Sequence, residues 1–124
     1  MPKKILVIDD EALVARSLSK LLSACGFDVV VASSGHEALQ KIKDEDFHLI
    51  ISDIRMPELD GIETVKQIRG YLTCAKKKKI PEIFITGYAD KERYETALAM
   101  GVSEYIYKPF EREYILRVVE RTIR

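Results

Sequence analysis

Five short apolar runs alternate with five segments of helical periodicity, and this alternation most constrains what the chain can fold into. The runs are Ile5–Ile8, Val29–Ala32, Leu49–Ser52, Ile83–Thr86 and Glu104–Tyr107. The first four are almost continuously apolar, which is typical of parallel strands covered on both faces. The sequence therefore predicts a doubly wound α/β fold, with right-handed crossovers and a parallel sheet between two layers of helices.

Each intervening segment carries an apolar stripe at helical spacing. Gly26 suits a left-handed C-cap after the first helix, and Ser34 and Asp90 suit the N-caps of the second and fourth. The predicted stripes are Val14, Leu18, Leu21, Leu22 and Cys25; Ala38, Leu39 and Ile42; Ile62, Val65, Ile68 and Leu72; Tyr94, Ala97 and Leu98; and Ile115, Val118, Val119 and Ile123.

Composition excludes several classes of protein. The chain has 124 residues, which fits one domain, and its 20 Lys and Arg residues balance 20 Asp and Glu residues. This balance gives no reason to expect nucleic-acid or membrane binding by the domain as a whole. No run has membrane-spanning length, and the first run is too short for a signal peptide. Cys25 and Cys74 lack metal-type spacing, so we interpret them as reduced thiols of a cytoplasmic protein.

Polar side chains stand where four of the predicted strands end. Asp9 and Asp10 follow the first strand, Asp53 follows the third, Thr86 ends the fourth and Lys108 follows the fifth. Because parallel strands bring their carboxyl ends to one edge of the sheet, these side chains are expected to lie close together.

Three carboxylates at one edge call for a counter-charge. Two carboxylates about 4 Å apart repel by about 4 kcal/mol at an effective dielectric constant of about 20. Carboxylate oxygens with room for water suit Mg²⁺. A metal ion beside an aspartate, a lysine and a threonine is also what phosphoryl transfer needs, because a carboxylate can attack phosphorus while the other groups bind its oxygens.

Four segments resemble, in order, the receiver domains of two-component response regulators of the chemotaxis-regulator type. They are ILVIDDE, LIISDIRMPELDG, IFITGYAD and GVSEYIYKPF. The resemblance covers essentially the whole chain, and the combination of segments is highly specific. It implies one receiver domain over residues 1–124 and a flavodoxin-like (βα)5 fold with strand order 2-1-3-4-5.

The resemblance also implies roles at the acidic edge. Asp53 would accept a phosphoryl group from a histidine kinase or phosphotransfer protein. Asp10 would bind Mg²⁺ directly, Asp9 would hold its waters, and the backbone carbonyl of Arg55 would be a further ligand.

By the same resemblance, Thr86 and Lys108 would bind phosphoryl oxygens, and Tyr105 would rotate inward when the threonine moves. The Lys108–Pro109 peptide is expected to be cis. The chain would thus be a phosphorylation-controlled switch and not an enzyme in the ordinary sense, although it would assist its own phosphotransfer and slow self-dephosphorylation.

The surface of the fourth helix, fifth strand and fifth helix binds partners in this family. It would receive an output partner, an output domain or a second copy of the chain. Tyr88, Tyr94, Tyr105 and Tyr107 lie on or near it, and they suit either an interface or ordinary half-buried packing.

By the same resemblance, two bulky residues would flank the path of the hydrolytic water. Arg55 lies two residues beyond Asp53, Tyr88 lies two beyond Thr86, and neither is a good general base at neutral pH. We expect them to lengthen the lifetime of the acyl phosphate. Arg55 is also expected to reach the phosphoryl oxygens or pair with Glu58.

Two other functions compete with the switch. A metal-dependent aspartyl-phosphate phosphatase usually carries a second aspartate two residues after its nucleophile, where this chain has Arg55. A phosphorylation-independent binding module would not need the complete polar set at the strand ends. The run Lys76–Lys79 suits either a solvated loop or a docking patch for an acidic partner.

Overall fold

The computed structural model describes residues 2–88 and 90–123, and its sheet has the predicted topology. All neighbouring strands are parallel, in the order β2-β1-β3-β4-β5. The strands are β1 (Lys4–Ile8), β2 (Asp28–Ala32), β3 (Leu49–Asp53), β4 (Glu82–Thr86) and β5 (Glu104–Tyr107). The helices are α1 (Ala12–Ala24), α2 (Gly35–Asp44), α3 (Gly61–Cys74), α4 (Lys91–Ala99) and α5 (Arg112–Ile123). The predicted doubly wound fold is confirmed.

Successive residues of a strand point to opposite faces of the sheet, and the core is divided accordingly. In β1, Ile5 and Val7 pack with α1 and α5, whereas Leu6 and Ile8 pack with α2 and α3. Phe84 of β4 packs with α3 and α4. Helices α1 and α5 therefore cover one face, and α2, α3 and α4 cover the other.

The predicted helix ends are observed. The Ser34 hydroxyl accepts a hydrogen bond from the Glu37 amide, and the Asp90 carboxylate accepts one from the Arg93 amide. Gly26 has a φ of 93°, the left-handed conformation that suits glycine after a helix.

Three side chains are more exposed than predicted. Val31 is 36% exposed because β2 is an edge strand, so covering on both faces is wrong for this strand. Cys25 lies just past the end of α1 and faces solvent. Leu98 is 54% exposed because it is one position, about 100° of helix rotation, from Ala97, which is buried.

Strands β1, β2 and β4 begin one residue earlier than predicted, and the first residue of β4 belongs to a buried ion pair. Glu82 begins β4 and is 1% exposed. Its two carboxylate oxygens accept hydrogen bonds of 2.8 and 2.7 Å from the Arg69 guanidinium, which also donates to the Met100 carbonyl at 2.7 Å. The pair joins α3 to β4 and to the C-terminal end of α4.

Both cysteines and the lysine run lie at the surface. Cys25 and Cys74 are free and exposed. Lys76–Lys79 are all exposed, and the Lys77 ammonium is 3.3 Å from the Asp46 carboxylate. Within the described ranges, no helix combines the length and apolarity needed to cross a membrane.

The loop after β3 returns closely onto the strand at Gly61. The Gly61 amide donates a 2.7 Å hydrogen bond to the Ile54 carbonyl. A Cβ atom at Gly61 would collide with the carbonyl oxygen of Asp53 and would lie 2.9 Å from the Ile54 Cα. Glycine is therefore required here, because backbone atoms cannot move aside as a flexible side chain can.

We predict that Gly61→Ala lowers the free energy of unfolding by about 1–3 kcal/mol, the usual cost of overpacking. Gly70→Ala is the control, because a Cβ there meets nothing within 4 Å and alanine favours a helix interior by about 1 kcal/mol. Urea denaturation measures both. Equal midpoints for Gly61→Ala and the wild type would contradict the close approach.

Candidate functional site

The structure brings the predicted polar residues to the C-terminal edge of the sheet. Asp53 and Thr86 are the last residues of β3 and β4, while Asp9 and Lys108 directly follow β1 and β5. A cavity of about 440 Å³ opens there, lined by Asp10, Glu11, Asp53, Arg55, Gly87, Tyr88 and Lys108. Asp10, Asp53, Arg55 and Lys108 therefore line one cavity, and Asp9 and Thr86 lie at the same edge of the sheet.

Three carboxylates converge at this edge of the sheet. One oxygen each from Asp9, Asp10 and Asp53 lies within 4.8 Å of the others. Asp9 and Asp53 are 3% and 6% exposed, whereas Asp10 faces solvent. The cluster thus combines two buried ligands with an exposed one.

The ammonium of Lys108 lies close to three carboxylates. The Lys108 Nζ atom lies 3.3 Å from Asp9, 3.6 Å from Asp53 and 3.4 Å from Glu11. No role was predicted for Glu11, although it directly follows the predicted pair of aspartates. The Lys108–Pro109 peptide is cis, as expected.

Burial and neighbouring charges shift the pKa values of Asp9, Asp53 and Lys108. Burial and the charge of Asp9 raise the pKa of Asp53 to about 6, although Lys108 and the Ile54 amide act in the opposite direction. Burial likewise raises the pKa of Asp9. Burial lowers the pKa of Lys108, but the charges of Asp53 and Asp9 outweigh it and raise that pKa.

The residues fit Mg²⁺. Burial and the charge of Asp9 raise the pKa of Asp53 despite Lys108, so a further positive charge would stabilise the ionised carboxylates. The clustered donors are all oxygen atoms, and the exposed side leaves space for the waters that Mg²⁺ keeps. Receiver domains generally bind Mg²⁺ in such an acidic pocket.

Thr86 and Tyr105 lie on adjacent strands beside this pocket. The buried Thr86 hydroxyl accepts a 3.2 Å hydrogen bond from the Tyr88 amide. The Tyr105 ring packs edge-on against Tyr94 and Tyr107, with centroids 5.0 and 5.3 Å away. Its hydroxyl is buried, and no described residue hydrogen-bonds to it. The inward rotation of Tyr105 stays a prediction.

Arg55 and Tyr88 contact each other at the mouth of the cavity. The guanidinium carbon of Arg55 lies 4.4 Å from the centre of the Tyr88 ring, and its Nη2 atom lies 3.4 Å from Asp90. The predicted pairing of Arg55 with Glu58 is wrong. Glu58 has a left-handed φ of 65°, and its carboxylate lies 3.7 Å from His36 instead.

The surface of α4, β5 and α5 carries exposed aromatic residues. Tyr107 and Tyr114 are 47% and 39% exposed, and Leu98 on α4 is also exposed. Tyr94 and Tyr105 are half-buried beside Tyr107. Tyr114 was not predicted to belong to this surface, because the apolar stripe of α5 identifies only the buried side of the helix.

Fold and site together define a receiver domain, and comparisons with known proteins agree. The model of the response regulator receiver domain family matches residues 5–120. The chain belongs to this family, which functions in two-component signalling.

Two similar proteins are named as transcriptional regulators. It is 40% identical over 124 residues to the probable transcriptional regulator ycf27 of Porphyridium aerugineum, covering 98% of this chain and 49% of the relative. It is 40% identical over 119 residues to the alkaline phosphatase synthesis transcriptional regulatory protein PhoP of Bacillus subtilis, covering 95% and 48%. The chain thus spans about half the length of these two relatives.

Solved structures show the same fold. The chemotaxis protein CheY4 of Vibrio cholerae superposes with a TM-score of 0.88 at 31% identity, covering 98% of this chain and 99% of that one. A CheY-like receiver domain of Methanospirillum hungatei gives a TM-score of 0.90 at 28% identity, covering 99% and 94%.

We predict that Asp53→Asn stabilises the metal-free protein increasingly as pH rises. The pKa of Asp53 is about 6 in the fold against 3.8 as its ordinary value, so the folded state binds this proton more tightly. The stabilisation from that proton is present below pH 3.8 and is lost as pH rises to about 6. At pH 7 the variant should therefore be more stable than the wild type by about 1–3 kcal/mol.

Urea denaturation in EDTA between pH 4 and 8 measures this difference. Asp46→Asn, at a carboxylate that is 88% exposed, is the control and should show no such trend. Added Mg²⁺ should narrow the gap by stabilising the wild type. A difference between Asp53→Asn and wild type that does not vary with pH would contradict the electrostatic account.

Proposed function

We propose that this chain is a phosphorylation-controlled switch in which Asp53 accepts a phosphoryl group from the phosphohistidine of a histidine kinase or phosphotransfer protein. The observation that carries the proposal is the convergence at one cavity of a buried carboxylate, an ammonium 3.6 Å away and the end of the strand bearing Thr86. Residues 1–124 would act as one cytoplasmic receiver domain.

The residues support in-line transfer to Asp53. Its ionised carboxylate oxygen attacks phosphorus, a new O–P bond forms as the N–P bond to the histidine breaks, and the departing imidazole takes up a proton. Lys108 and the Thr86 hydroxyl bind the phosphoryl oxygens, and the ammonium makes charge-assisted contacts. Mg²⁺ held by Asp10, Asp53 and the Arg55 carbonyl, with waters on Asp9, would supply the remaining positive charge.

Thr86 and Tyr105 would carry the switch. The Thr86 hydroxyl, which now accepts the Tyr88 amide, would donate to a phosphoryl oxygen, and Tyr105 would turn inward as Thr86 moves. Phosphorylation would thereby favour a second conformation that already exists in equilibrium.

The changed surface would be that of α4, β5 and α5. Its exposed tyrosines suit an output partner, an output domain or a second copy of the chain. Balanced net charge supports no direct nucleic-acid or membrane binding by this domain.

The two alternative functions are less well supported. A phosphatase needs a proton donor near the leaving group, and the position two residues beyond Asp53 holds Arg55, whose guanidinium lies against Tyr88. The function of a binding module without phosphorylation gives no reason to bury Asp9 and Asp53 together. Repulsion between the two carboxylates lowers the stability of the folded protein.

We predict that acetyl phosphate with Mg²⁺ increases the mass of the wild type by one phosphoryl group, whereas Asp53→Asn gains none. Lys108→Ala should stay folded and lose most of the labelling, because its ammonium no longer binds the phosphoryl oxygens. Intact-mass spectrometry and circular dichroism measure these outcomes. Full labelling of Asp53→Asn would move the acceptor elsewhere.

We also propose that Arg55 and Tyr88 lengthen the lifetime of the acyl phosphate by shielding it from water. The variant Arg55→Asn with Tyr88→Glu should lose the phosphoryl group more than about tenfold faster, equivalent to ~1.4 kcal/mol in the barrier. Decay in Mg²⁺ is followed after the donor is removed. Arg121→Asn, on the exposed side of α5, is the control, and equal decay of wild type and the double variant refutes the proposal.

A further inference from the structure

Four side chains of alternating charge connect the cavity to the N-termini of two helices. Arg55 is 3.4 Å from Asp90, Arg93 is 2.7 Å from Asp90, and Arg93 is 3.6 Å from Asp60. Asp60 and Asp90 are the N-caps of α3 and α4. This chain of charges was not visible in the sequence, because Arg55 and Asp90 are 35 residues apart.

Arg55 is the most loosely held member of this network. Asp90 accepts the Arg93 amide at 3.1 Å and the Arg93 guanidinium at 2.7 Å, so it remains well bonded without Arg55. Arg93 is the main cause of the lowered pKa of Asp90, with Arg55 a lesser one. The Arg55 side chain is 47% exposed, and such ion pairs are worth little.

Arg55 also borders the cavity that contains Asp53. Both residues line it together with Lys108, and the Tyr88 ring supports one face of the guanidinium. A phosphoryl group on Asp53 would replace the single charge of the carboxylate with about two negative charges and would add three acceptor oxygens to this cavity. An arginine binds such oxygens with two parallel hydrogen bonds, which is stronger than its present contact with Asp90.

We propose that Asp90 is a positioning residue that competes with the phosphoryl group for Arg55. This inference rests on the proposed phosphorylation of Asp53. In the unmodified protein Arg55 pairs with Asp90, and in the phosphorylated protein it moves to the phosphoryl oxygens. The N-terminus of α4 then loses its tie to the loop after β3. Because such coupling is reciprocal, weakening the Arg55–Asp90 pair must strengthen binding of a phosphoryl group or its analogue.

Beryllofluoride with Mg²⁺ is the probe, and its half-saturating concentration is read from amide shifts in NMR spectra. Asp90→Asn should lower that concentration about fivefold, a typical coupling, while the asparagine still caps α4. Arg55→Met should raise it. In the Arg55→Met background, Asp90→Asn should have no further effect, because the residue through which it acts is missing.

Asp60→Asn is the matched control, because it removes the same charge from a cap that contacts Arg93 but not Arg55. It should leave the half-saturating concentration unchanged. An equal gain from Asp60→Asn, or a gain from Asp90→Asn that persists in Arg55→Met, overturns the competition. Failure of the wild type to bind beryllofluoride would instead contradict the proposed phosphoryl site itself.

Discussion

The crowding of buried carboxylates against a single ammonium is the constraint on which the rest of the site depends. β3 is buried on both faces, so the side chain at its tip has little access to water, and Asp9 is buried on the adjacent strand end. Lys108 reaches both carboxylates but cannot neutralise them fully. The fold therefore maintains a local excess of negative charge, which helps to raise the pKa of Asp53 to about 6 and which a divalent cation would relieve.

Periodicity predicted the fold because each strand and helix has a local signature. The site was predictable for a related reason, since parallel strands carry their last residues to one edge, and Asp9, Asp53 and Thr86 all stand at strand ends. Burial that depends on strand order was not predictable: Val31 reads as a core residue, and only its place on the edge strand exposes it. Local patterns specify elements, whereas neighbours along the sheet decide how thoroughly each element is covered.

Pairing between distant charges was the other part that sequence reasoning could not reach. Glu82 looks like a loop residue before an apolar run, yet Arg69 satisfies both its oxygens inside the protein. Asp90 was recognised as a cap from its place before a helix, but its contact with Arg55 depends on how two loops meet. Local patterns identify which residues can form such ion pairs. The tertiary structure determines which of the possible partners each residue contacts.

Because Arg69 donates a hydrogen bond to the Met100 carbonyl, the two ends of α4 are held by different kinds of contact. At the C-terminal end of α4, the Arg69 guanidinium that binds the Met100 carbonyl is paired with the buried carboxylate of Glu82. At the N-terminal end of α4, the ion pairs of Asp90 lie near the surface. Among the described residues of α4, only Ala97 is buried, and it lies close to the C-terminal end of the helix. A displacement at the cavity would therefore move the N-terminal end of α4 more easily than the end that Arg69 binds.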